Sequence, residues 1–129
     1  MTVNGFSIGI EMEYQDLEVW KESKELVKLV YNFTNKLPVS EQFGLSLQIR
    51  RSAISIPSNI AEGIGRNHTK DTLQFLFIAR GSLYEVETQV TISKELFNLD
   101  DAEFVMIINK IKECKKILNG FINYYKSKN

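Results

Sequence analysis

Cysteine occurs once in the 129 residues, at Cys114, so no disulfide can close within the chain and a reducing compartment is expected. Histidine also occurs once, at His68. That excludes the paired imidazoles of most metal centres and acid–base relays, and a lone histidine in a turn reads as incidental. Neither sign of charge dominates: 16 basic residues balance 16 acidic ones, so no global field draws the chain to nucleic acid or to a membrane. No apolar run approaches the ~20 residues that cross a bilayer. The opening residues lack the basic start and apolar run of a signal peptide, so a cytoplasmic protein without membrane contact is expected. Proline occurs only at Pro38 and Pro57, which leaves long stretches free to be helical.

What is present suits one helical domain. Apolar residues make up 43% and charged residues 25%, enough to bury a core and too apolar for disorder. Residues 1–15 show no period and contain Gly5 and Gly9, which predicts a flexible or loosely docked lead-in before a bundle over 16–126. From Leu17 to Leu37, Val19, Leu26, Val30 and Phe33 recur at helical spacing, with Asp16 as a candidate cap and Pro38 as the stop. Ser40 is placed to cap a second helix that runs to Gly63 and Gly65. After the turn Gly65-Arg66-Asn67-His68, Thr69 is placed to cap a third helix to about Phe97, with a heptad-like seam through Leu73, Leu76, Ala79, Leu83, Val86 and Val90. Asp100 and Glu103 form a capping box for the fourth, which carries Phe104, Ile107, Ile111, Leu118 and Ile122. Four helical patterns, short turns and no strand signal predict an all-α, up-down-up-down four-helix bundle.

The second helix carries Pro57 among small polar residues, Ser52, Ser55, Ser58 and Asn59. Proline removes a donor and clashes with the carbonyl four residues back, which predicts a kinked helix; two short helices broken at Pro57 are the alternative. This helix has two apolar edges, one through Ile49, Ala53, Ile56 and Ile60 and another through Phe43, Leu47, Ile54 and Ala61. The third has Phe75, Phe77, Ile78, Tyr84 and Ile92 off its seam, and Gly81 in its middle. Apolar surface beyond one core, with a mid-helix glycine where another helix could approach, predicts a homo-oligomer.

No catalytic, cofactor or metal constellation is visible. Gly63-Ile64-Gly65 lacks the spacing of a phosphate loop, and the Glu-x-x-His pairs of di-iron bundles are missing. The polar residues inside the central helices admit two readings. Arginine–glutamate pairs drawn from Arg51, Glu62, Arg80, Glu85 and Glu87 could bridge the second and third helices and fix their register or a subunit contact. Alternatively, Arg50, Arg51, Arg66, Lys70 and Arg80 form a basic patch around the Gly65 turn that holds phosphates. The lysines after Phe104 (Lys110, Lys112, Lys115, Lys116, Lys126 and Lys128) offer a second basic face. Pro57, Asn59, Glu62, Gly63, Gly81, Glu85 and Glu87 are the candidate structural or interface residues.

Three segments carry a resemblance that runs from about Tyr14 to Tyr125: the run from Tyr14 to Lys21, Arg-Arg-Ser-Ala-Ile-Ser-Ile-Pro-Ser-Asn-Ile-Ala-Glu-Gly from Arg50 to Gly63 with Arg66, and the run from Ile78 to Gln89. They resemble the four-helix-bundle proteins encoded in 23S ribosomal RNA intervening sequences, a family similar in turn to the accessory protein of diversity-generating retroelements. The resemblance implies a bundle assembled as a ring-like homopentamer and a role in RNA or DNA binding, with no established catalytic activity. The chain departs from the basic retroelement relative in its zero net charge. A scaffold or adaptor that recruits a protein partner without nucleic-acid contact is the other reading.

Overall fold

In the computed structural model, Thr2–Val3, Phe6–Ser7 and residues 13–128 are described. Four helices carry the fold: α1 (Glu18–Thr34), α2 (Leu45–Ile64), α3 (Thr69–Phe97) and α4 (Asp101–Lys126). Each packs on its sequence neighbours and α4 closes on α1, while the backbones of the diagonal pairs stay apart among the described residues. That cyclic order with short connections is the up-down-up-down bundle that the sequence predicts. Most of the expected lead-in lies outside the described residues. Within it, Thr2–Val3 pairs antiparallel with Phe6–Ser7, and Tyr14–Asp16 forms one 3-10 turn packed on α1 and α2.

The core is the stripe that the periodicity marks. Leu26, Val30 and Phe33 of α1 meet Ile49, Ala53, Ile56 and Ile60 of α2, Leu76, Leu83, Val86 and Val90 of α3, and Ile107, Ile111 and Leu118 of α4 in one buried cluster. Each such side chain larger than alanine contributes about 2 kcal/mol by leaving water. The α2–α3 contact is lined with small groups. Ser82 and Ser55 share a hydrogen bond between their hydroxyls (2.9 Å), and Thr72 Oγ1 donates to the Gly63 carbonyl (2.8 Å). A Cβ on Gly63 would lie 3.0 Å from Phe75 Cβ and 3.2 Å from the Thr72 carbonyl oxygen, so this glycine is required by close approach.

The helix starts differ from expectation. Leu17, not Asp16, precedes α1, and Asp16 belongs to the 3-10 turn. Ser40 lies in a second 3-10 turn (Val39–Glu41), and α2 begins only at Leu45, where Glu41 Oε1 accepts from the Leu45 amide (3.2 Å). Phe43 therefore stands outside the helix and is 83% exposed. α1 stops at Thr34, three residues before Leu37, because Lys36 and Leu37 tighten to 3-10 hydrogen bonds with Phe33 and Thr34. Thr69 is the first residue of α3, after an extended His68. Asp100 does cap α4, its carboxylate accepting from the Glu103 amide (3.1 Å), while the Glu103 side chain turns instead to Lys36. Asn98 supplies the left-handed residue that ends α3 (φ 50°).

α2 is continuous across Pro57, so the reading as two short helices does not hold. Asn59 Nδ2 donates to both the carbonyl (2.8 Å) and the hydroxyl (2.9 Å) of Ser55, placing side-chain bonds in the turn that the proline weakens.

Candidate functional site

The facing pairs Thr72–Gly63 and Ser82–Ser55 set the α2–α3 register and show where the candidate bases fall. Arg66 and Lys70 flank the α2–α3 turn. Arg50 and Arg51 sit near the other end of α2, about 20 Å away at 1.5 Å per helical residue. The five bases thus do not converge on one patch around Gly65.

Their partners separate them further. The Arg50 guanidinium lies 4.5 Å from the Tyr31 ring, with Nε donating to Thr34 Oγ1 (2.8 Å) and Nη2 to Asn35 Oδ1 (2.7 Å), so it ties α2 to α1. Arg80 donates to Asn119 Oδ1 of α4 (3.1 Å) and lies over Phe77. Arg66 pairs with Glu62 one turn back (3.0 Å) and stacks 4.6 Å from Phe75. Arg51 and Lys70 are exposed. Among the described residues no arginine–glutamate pair spans α2 and α3, because the residues facing each other there are serines, threonine and glycine. Glu87 instead reaches Lys115 of α4 (2.7 Å), and Glu85 is exposed on the outer face of α3.

The fourth helix resolves part of the charge asymmetry. Lys110 sits between Glu22 of α1 (2.5 Å) and Glu113 (3.4 Å), and the bond to Glu22 holds its ammonium above the usual lysine pKa. Lys94 pairs with Asp101 (2.7 Å) and draws that carboxyl below its usual value. Cys114 is fully buried beside this cluster. Burial first, then the Glu22 charge, pushes its thiol up to about 12. A thiol so rarely ionised is a packing group, not a nucleophile.

Aromatic rings capped by cations gather at the end of the bundle that holds the α2–α3 turn and the α4 terminus. Beside Arg66 on Phe75, Lys24 lies 4.2 Å from Trp20, Lys126 lies 5.6 Å from Phe77, and Lys128 lies 4.8 Å from Tyr124. From sequence, Phe75 and Phe77 stand out only as apolar residues off the seam of the third helix, and their pairing with cations was not read. For Trp20 and Tyr124 the signal was the lysines beside them in sequence, which periodicity alone assigns to solvent.

A third surface is partly apolar. On α3, Ile78, Gly81, Glu85, Thr88, Ile92 and Leu96 follow one another three or four residues apart on the side away from the core. Ile78 is 50% and Leu96 63% exposed, and nothing lies within 4 Å of the position a Gly81 Cβ would take. Ile54 of α2 is exposed as well, as the second apolar edge predicts. Among the described residues no group of acids, histidine and cysteine could hold a metal, and no helix is long and apolar enough to cross a membrane.

Comparison with known proteins agrees with the fold. A crystal structure of a protein of unknown function from the S23 ribosomal protein family of Bacteroides thetaiotaomicron VPI-5482 is similar, at 29% identity and TM-score 0.73. The alignment covers 81% of this chain and 97% of that one. No curated protein matches the chain. The family model described as 23S rRNA-intervening sequence protein matches residues 15–120. With that match spanning all four helices, the chain belongs to the 23S rRNA-intervening sequence protein family.

Proposed function

We propose that the chain acts as a non-enzymatic homopentameric bundle that binds structured RNA or DNA through basic faces. The observation that carries the assembly is the uncovered stripe on α3 from Ile78 to Leu96, with Gly81 leaving room for a helix of another copy. The number five comes from the family resemblance. Binding of nucleic acid is supported by the exposed Arg51 and Lys70 and by the cation-capped rings at the α4 end.

Sedimentation of the native protein tests the assembly, and replacing Ile78 and Leu96 together by glutamate should release single subunits. Titrating RNA at rising salt tests binding: phosphate neutralisation makes log K fall by about 0.7 to 0.9 per phosphate contact per decade of salt. A wild-type protein that stays a single subunit at high concentration, or retains no nucleic acid at low salt, refutes the corresponding half.

A scaffold that recruits a protein partner without nucleic acid is the second reading. It is favoured by Val39 (85% exposed) and Phe43, two apolar side chains on the α1–α2 connection. RNA retention that depends on salt decides against it.

A further inference from the structure

The last turns of α2 border a cleft that neither the apolar stripe nor the core explains. It measures about 570 Å³ and is lined by Tyr14, Ser58, Ala61, Glu62, Gly65 and Arg66. The register set by Thr72–Gly63 and Ser82–Ser55 runs the stripe from Ile78 to Leu96 along the other half of α2, away from this opening.

Three side chains in it are held in complementary states. Tyr14 is half-buried, its ring braced edge-on by Trp20 (5.1 Å, 77°). Arg66 rests on Phe75 and gives one Nη2 bond to Glu62 Oε2, leaving its other N–H groups unassigned. The Glu62 carboxylate, 59% exposed, accepts that bond at Oε2, and among the described residues nothing donates to its Oε1. An aromatic platform, an acceptor pair and a guanidinium are the three groups that a nucleotide needs for its base, its edge and its phosphate.

We propose that this cleft binds a guanine nucleotide unit, with the base on Tyr14, its Watson–Crick edge on Glu62 and its phosphate on Arg66. The choice of base follows from the carboxylate, which only accepts. Guanine offers two adjacent donors, N1–H and the N2 amino group. Adenine and cytosine put a ring acceptor beside their amino group, and uracil flanks its one donor with two carbonyls. The unit could be a free nucleotide or one residue of a strand. In a strand, the inference rests on the nucleic-acid reading above and names the base it selects.

The test uses the assembled wild-type protein, labelled uridine strands carrying one central G, A or C, and GMP and AMP as competitors. The G strand should bind about tenfold tighter than the A or C strand, as one bidentate base contact allows. GMP should displace it better than AMP does. Glu62→Gln should bring the G strand down to the level of the others. Tyr14→Ala should weaken every strand about tenfold without changing the preference, and Tyr14→Phe should restore binding. A merely structural role for Glu62 would leave the order of bases untouched. Equal binding of the three strands, or a G preference that survives Glu62→Gln, overturns the cleft and leaves the nucleic-acid reading standing. GMP binding without strand binding does the reverse, and loss of both refutes both.

Discussion

The Thr72 hydroxyl donates a hydrogen bond to the Gly63 carbonyl at 2.8 Å, and the backbone of Thr72 comes so near that a side chain on Gly63 has no room. Gly63→Ala should destabilise the chain by about 1–3 kcal/mol through overpacking against Phe75. Thr72→Val, which keeps the shape and removes the donor, should cost about 1 kcal/mol. Urea unfolding followed by circular dichroism measures both, and an unchanged midpoint for Gly63→Ala would contradict the close approach.

Gly81 is the opposite case, exposed on α3 with open space where its Cβ would be. Within one subunit, Gly81→Ala should stabilise the helix by up to about 1 kcal/mol. If a neighbouring helix packs there, the same change should loosen the assembly. Thermal melting of dissociated subunits and sedimentation of the assembly separate the two effects. A variant that gains stability and assembles as tightly as wild type would remove Gly81 from the interface.

Arg50 joins α1 to α2 through Tyr31, Thr34 and Asn35. Arg50→Lys keeps the charge but cannot reproduce a flat guanidinium that both stacks and makes two bonds. It should lose about 1 kcal/mol of stability, in line with one or two partly buried hydrogen bonds. Nucleic-acid affinity should stay the same in the folded variant. A loss of affinity at unchanged stability would return Arg50 to the binding face.

Cys114 makes the pH dependence specific. Its thiol ionises near 12 when folded, against an ordinary value of 9.0. The unfolded chain therefore gives up this proton first as pH rises. The group's contribution is complete below about 9 and is lost as pH climbs towards about 12. The decline should shrink in Cys114→Ala relative to wild type. At neutral pH the native thiol should resist alkylation until denaturant is added.

Much of the architecture was legible because burial leaves a period in the sequence. Ile49, Ala53, Ile56 and Ile60 occupy the core face of α2 that their spacing assigns, and Leu76, Leu83 and Val86 do the same on α3. The helix starts were not legible. Capping rules read one residue at a time, whereas α2 starts where Glu41 reaches forward to Leu45. The partners of the bases were not legible for a related reason: type and spacing do not reveal that Arg80 turns to Asn119, or that Arg50 donates to Thr34 and Asn35. Tyr14 was noticed only as part of a family motif, since its place beside Glu62 and Arg66 arises from the 3-10 turn packing on α2.

Among the described residues, every ion pair that joins two elements ends on α4: Glu22–Lys110, Lys36–Glu103, Glu87–Lys115 and Lys94–Asp101. The α2–α3 seam is fastened by neutral hydroxyls and a carbonyl. The bundle therefore has one flank whose grip weakens as counterions accumulate and one that ignores them. Concentrated salt should make α4 the first helix to breathe, visible as faster amide exchange along it while the α2–α3 hairpin keeps its protection.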